Sequence, residues 1–232
     1  MSKSTGAFHR PAIAAQLHVN TQISRQDIFG LAEAQCRPMH LPGDSATMFA
    51  GFVGTRYTPG EGIVLLAINP GGGGDAYTER TAEDRVFFPL LERFKAARGH
   101  AVPSAFEAVN QAFAPIVRGW NLWRILGPTL EAAGLTLEEV AYMNLVPYRT
   151  RGDKMPPVAA QQAAWTRIIQ PTLGVLEPRA IVTLGKKAGS VVDRFHAGGL
   201  HAYCVPRTIG DTRISDEARA VHAQMRRELC GR

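Results

Sequence analysis

Little in this chain suits it for disulfide, iron–sulfur or zinc chemistry. Its 232 residues include only three cysteines, Cys36, Cys204 and Cys230, far apart and without a C-x-x-C pair. They supply neither four thiolates for an iron–sulfur cluster nor a Cys-rich zinc site. A reduced, cytosolic setting is therefore the expectation. No apolar run approaches membrane-spanning length, and residues 1–6 contain no apolar signal core. A soluble, cytoplasmic protein with no membrane partner is expected. No repeat or low-complexity tract breaks the chain. Acidic residues are the minority charge: 20 Asp and Glu against 26 Lys and Arg, a net charge of +6. That balance suits an anionic partner such as nucleic acid, although it is also an ordinary solubility feature.

What the chain does have is one stretch around which the rest is arranged. Residues 63–68 are six consecutive apolar residues, followed by Asn69-Pro70 and then four glycines, Gly71 to Gly74. The apolar run reads as a strand buried on both faces. Proline cannot continue the ladder, and the glycines allow a sharp turn or close approach to a ligand. Open α/β sheets build sites in this way, at their carboxyl edge. The alternative is a glycine-rich turn that merely links strand to helix. The loop lacks the Lys-Ser/Thr ending of a P-loop and the spaced glycines of a dinucleotide fingerprint.

Around this stretch the pattern alternates. Residues 1–24 are polar without clear periodicity and are expected to form a flexible arm, leaving 25–232 as a single domain. Helical spacing is read over 26–36, then again from Pro89, which suits a first helical turn. Residues 99–115, bracketed by Pro103 and Pro115, allow a short helix at best. A helix over 120–133 ends at Gly134. Strands are read at 140–146, 180–184 and 201–205. Helices are read at 156–176, with Pro171 kinking or splitting it, at 186–195, and from a cap at Asp216 to residue 229. Strands separated by helices pair in parallel through right-handed crossovers. The expected fold is α/β, a three-layer α/β/α domain with a central four-stranded, mainly parallel sheet.

Two strands end alike, in Asn69-Pro70-Gly71 and in Asn144-Leu145-Val146-Pro147. Each would deliver a carboxamide, with donors and an acceptor suited to a nucleobase edge or a water, to the ligand-binding rim. Alone, either Asn is more often a strand-end cap. Together with the Gly loop and Phe87-Phe88, they resemble the uracil-DNA glycosylase superfamily. The likeness is carried by residues 67–71, by 144–149 and by 184–188. The Asn before Pro-Gly is most similar to the single-strand-selective monofunctional branch.

That resemblance implies a DNA-repair enzyme that flips uracil or a related damaged pyrimidine out of DNA and hydrolyses its N-glycosidic bond. It implies no metal or organic cofactor, a monomer, and an intracellular, nucleoid-associated setting. Asn69 would hold the attacking water and Asn144 would read the base. Phe87 or Phe88 would stack on it, and Ile68, Pro70, Gly71 and Gly72 would shape the pocket. Backbone N–H groups of the Gly loop would add to the field around the leaving base. A glycine at Gly71 or Gly72, where the best-known branch has a bulky tyrosine, implies tolerance of modest C5 substituents. Lys186, Lys187, Arg149 and Arg213 would contact DNA phosphates. The family's His-Pro-Ser motif is missing: Val205 stands at the His, and Arg207 is the nearest replacement cation, ahead of His196 and His201. Asp75, Glu79, Glu83 and Asp84 read as a solvated acidic face. Two other functions remain open, a non-catalytic binder of uracil-containing or damaged DNA and a hydrolase of free nucleosides or nucleotides.

Overall fold

The computed structural model describes residues 6–22, 51–71, 81–147, 149–150 and 154–231. The helix read over 26–36, and with it Cys36, Gly72, Asp75 and Glu79, lies outside the described residues.

Four strands expected from their apolar runs form the parallel heart of the sheet: β2 (Ile63–Ala67), β3 (Val140–Asn144), β4 (Ala180–Leu184) and β5 (His201–Val205). Every residue of β2, β3 and β4 is buried, which is why these strands read as continuous apolar segments and not as alternating ones. The sheet has a fifth strand, β1 (Gly51–Val53), antiparallel to β3, and the order is β1-β3-β2-β4-β5. Among the described residues the sheet thus has five strands where four were expected. With three residues, one of them glycine, β1 shows no alternation to detect. Gly51 is required there, since a Cβ would collide with the Tyr142 carbonyl.

Helices cover both faces, giving the three-layer α/β/α fold. Between β2 and β3 run α2 (Ala82–Ala96), α3 (Ala101–Gly119) and α4 (Trp123–Ala133). Between β3 and β4 the segments Val158–Ala164, Trp165–Ile169 and Gln170–Leu176 form one helix, α5. The middle segment is a π turn, in which Gln170 N–H reaches back to the Trp165 carbonyl. Gln170 in turn precedes Pro171, which has no N–H and would crowd the carbonyl of Arg167; the wider turn absorbs both problems. Helix α6 (Lys186–Phe195) leads to β5, and α7 (Asp216–Leu229) closes the chain against α4 and β5. The cap of α7 is Ser215, whose hydroxyl accepts from Ala218 N–H; Asp216 follows as its first helical residue.

Three expectations change. Residues Gly6–Gln22 form a helix, α1, not a flexible arm. Its inner face mixes Ile13, Ala14 and Leu17 with buried Asn20 and Thr21, so polar residues break the apolar stripe. Asn20 Nδ2 donates to Thr172 Oγ1 at 2.7 Å, and Arg10 Nη1 donates to the Gly54 carbonyl at 2.7 Å. Helix α2 begins seven residues before Pro89, at a Thr81/Asp84 capping box. The stretch after residue 99 is a full helix of 19 residues, with Pro103 in its first turn and Pro115 near its end. Among the described residues, no helix is long and apolar enough to cross a membrane.

Candidate functional site

Because β2 to β5 are parallel and in register, their carboxyl ends share one edge of the sheet. The chain leaves β2 toward β3 on one side and β4 toward β5 on the other, so the order reverses between β2 and β4. A crevice forms where an open sheet reverses in this way. It holds a cavity of about 910 Å³, lined by segments following β2, β4 and β5, the end of β3, and residues of α2 and α3.

Both strand-end asparagines line this cavity, with Ile68, Pro70 and Gly71 beside them. Asn144 sits opposite Ala67, and the ladder continues through Leu145 N–H to the Ala67 carbonyl (2.8 Å) and Val146 N–H to the Ile68 carbonyl (2.9 Å). This pairing brings the two carboxamides to one rim. Asn69 is 9% and Asn144 5% exposed, so each is nearly withdrawn from solvent. Asn69 Nδ2 donates to Thr150 Oγ1 at 3.1 Å, and Thr150 Oγ1 donates to the Lys154 carbonyl at 2.5 Å. Among the described residues, no atom stands within 4 Å of where a Cβ would lie on Gly71.

Phe87 and Phe88 also line the cavity, and both are buried on α2. Phe87 packs on Phe113 with ring centroids 4.8 Å apart, and Phe113 meets Trp120 edge-on at 5.4 Å. Tyr142, two residues before Asn144 on the same strand face, completes this aromatic wall at 6.0 Å from both Phe113 and Trp120. Burial raises the Tyr142 phenol well above its ordinary pKa, so it stays neutral at physiological pH.

The cations are placed differently from a simple basic rim. Arg149 donates through Nη1 and Nη2 to both Asp84 oxygens (2.6 and 2.9 Å) and through Nε to the Gly71 carbonyl (3.2 Å). With side chains 11% and 9% exposed, this pair is a buried strut in the cavity wall. The solvated reading of Asp84 is corrected by this pairing, and Arg149, expected at a DNA phosphate, is bonded here to Asp84 and Gly71. Arg207 also lines the cavity, its Nε and Nη2 bonded to the two oxygens of buried Asp211 at 2.8 and 2.5 Å. Its stem passes over Gly185, which has φ 103 and no side chain to block it. Asp211 therefore offsets much of the charge that Arg207 was expected to offer an anion. Lys186 pairs with Glu217 at 2.9 Å, and Lys187 is exposed at the cavity. Arg213 is exposed but outside the lining; its backbone N–H and carbonyl bond the Thr208 hydroxyl.

Among the described residues, no histidine lines the cavity. His196 ends α6, with Nε2 at 3.0 Å from the Leu200 carbonyl, and exposed His201 opens β5 at the opposite edge. Val205 is core, paired with Leu184. Sequence reasoning missed Thr150, the Arg149–Asp84 strut, Tyr142, Trp120 and Ile209. Ile209 is 98% exposed, yet it stands at the cavity on the turn anchored by Arg207 and Asp211. An apolar residue between Thr208 and Gly210 in a polar loop was the available signal for it. No protein-family model matches the chain, and no curated protein matches it either.

Proposed function

We propose that this protein is a DNA glycosylase that extrudes uracil or a related damaged pyrimidine and hydrolyses its N-glycosidic bond. One observation carries the reading: Asn69 and Asn144, nearly buried on adjacent strands, line a single cavity with Phe87 and Phe88. A pyrimidine edge supplies the matching donor and acceptor, and an aromatic wall supplies a stacking surface worth about 1–3 kcal/mol per base. A glycine at position 71, with no side chain to occupy the cavity it lines, supports acceptance of modest C5 substituents.

The chemistry follows from what these groups can do. Asparagine is too weak a base to deprotonate water, so the glycosidic bond breaks first and its electron pair leaves with the base. An oxocarbenium-like sugar and a pyrimidine anion result. Water held at Asn69 then adds its oxygen to the sugar carbon, and a proton from that water ends on the base. Arg207 favours the anion, but its ion pair with Asp211 moderates the effect. A slower reaction than a free cation would give is expected. Ile209, fully exposed at the rim, fits an apolar wedge that fills the space left by an extruded base.

The test is abasic-site formation on single- and double-stranded oligonucleotides that contain uracil. Asn69→Ala is expected to lower the rate by at least about 100-fold with binding little changed. Retarded bands without abasic product would assign the fold to binding alone. Turnover of free deoxyuridine or its monophosphate, but not of DNA, would redirect the proposal to small nucleosides.

A further inference from the structure

We propose that Thr150 is a positioning residue that fixes which atom of the Asn69 carboxamide faces the water, an inference that rests on the hydrolytic reading of this cavity. Thr150 is 2% exposed, so its hydroxyl is withdrawn from bulk solvent. A hydroxyl has one proton, and Thr150 gives that proton to the Lys154 carbonyl at 2.5 Å. Toward Asn69, 3.1 Å away, its oxygen can therefore only accept. The amide nitrogen must face Thr150, and Oδ1 must take the other branch of the planar group.

That choice decides reactivity. A carbonyl oxygen beside the water accepts one of its protons and leaves a water lone pair to point at the sugar carbon. A flipped amide would donate into that lone pair and blunt the nucleophile. The neighbouring residue steadies the arrangement: Arg149 is held between Asp84 and the Gly71 carbonyl, so the backbone carrying Thr150 is braced. Two consecutive residues thus serve different ends of the site. One braces the wall and the other orients the amide.

The experiment is single-turnover abasic-site formation with Thr150→Val, Thr150→Ser, Asn69→Ala and the Thr150→Val/Asn69→Ala double variant, together with duplex affinity. Thr150→Val is expected to slow cleavage roughly 10–100-fold, with affinity within about two-fold. Thr150→Ser should retain most of the rate, because it keeps the donor and the acceptor. Since Thr150 acts through Asn69, the double variant should be no slower than Asn69→Ala alone. Independent losses in the double variant, or a serine as slow as the valine, would overturn the proposal. A second readout separates it from the hydrolysis reading. In the wild type the Asn69 side-chain NH₂ resonances should be shifted from those of solvated amides, and Thr150→Val should return them. If no substrate is cleaved but this shift is lost on substitution, the positioning stands and the hydrolysis reading fails. Resonances unchanged by Thr150→Val contradict the positioning itself.

Discussion

In the proposed reading, Asn144 presents a base with a donor and an acceptor on a group that cannot change charge. Replacing it with aspartate keeps the shape and removes the donor. Uracil then loses a partner for a carbonyl, whereas cytosine's amino group gains an acceptor. Asn144→Asp is expected to weaken uracil cleavage by about 10–100-fold and to narrow discrimination against cytosine, at the roughly 1–3 kcal/mol of a good base contact. Parallel assays on uracil- and cytosine-containing strands check this; unchanged uracil specificity would remove Asn144 from the site. Among single residues, the strand-end asparagines were visible in the sequence because each stands between an apolar run and a proline. Thr150 was not, since its hydroxyl meets Asn69 across 81 positions and nothing local marks the meeting.

At the level of elements, the N-terminus of α2 is fastened by more than its capping box. Thr81 N–H donates to Asp84 Oδ2 at 2.7 Å, and the same carboxylate receives Arg149 from the segment after β3. Removing the carboxylate takes the bidentate acceptor from a nearly buried guanidinium. Asp84→Ala is therefore expected to destabilise the fold by about 3–5 kcal/mol in urea denaturation. A loss below about 1 kcal/mol would place the pair among exposed ones. Another junction, α4 against α7, carries a proton-sensitive contact. Thr129 Oγ1 gives its proton to the Ile125 carbonyl at 2.7 Å and so accepts from His222 Nε2 at 3.0 Å. Burial, reinforced by Arg226, lowers the His222 pKa. The unfolded chain then binds the proton more readily than the native one, so stability is full above the ordinary histidine range and falls as pH drops through it. Melting temperatures between pH 7.5 and 5 should decline more steeply for the wild type than for His222→Gln. Parallel declines would show that another group is responsible.

These junctions also explain what the sequence made legible and what it hid. Strands β2, β3 and β4 announced themselves because full burial demands apolar runs, and Gly134 marked the end of α4 by its left-handed φ of 67°. Helix α1 stayed hidden because Asn20 and Thr21 occupy its inner face, and β1 because three residues carry no period. The Arg149–Asp84 strut joins residues 65 apart in the chain. Local spacing has no access to such a pair.

Viewed as one molecule, a net charge of +6 overstates the positive field at the cavity. Arg149, Arg207 and Lys186 each meet a carboxylate there, and Lys187 is exposed at the lining. In the proposed reading, each phosphate contact to DNA contributes a slope of roughly −0.9 in log K against log salt. Lys187→Ala is expected to reduce that slope by about one unit. A slope unaffected by the substitution would detach this lysine from the DNA backbone.

The most direct measurement is a crystal structure with a duplex bearing 2′-fluoro-2′-deoxyuridine, whose fluorine disfavours the cationic sugar and so preserves the bond. The base should lie outside the stack, its edge on Asn144, a face against Phe87 or Phe88, and its sugar carbon within water's reach of Asn69. A base still stacked in the duplex, or one bound away from both asparagines, would contradict the account.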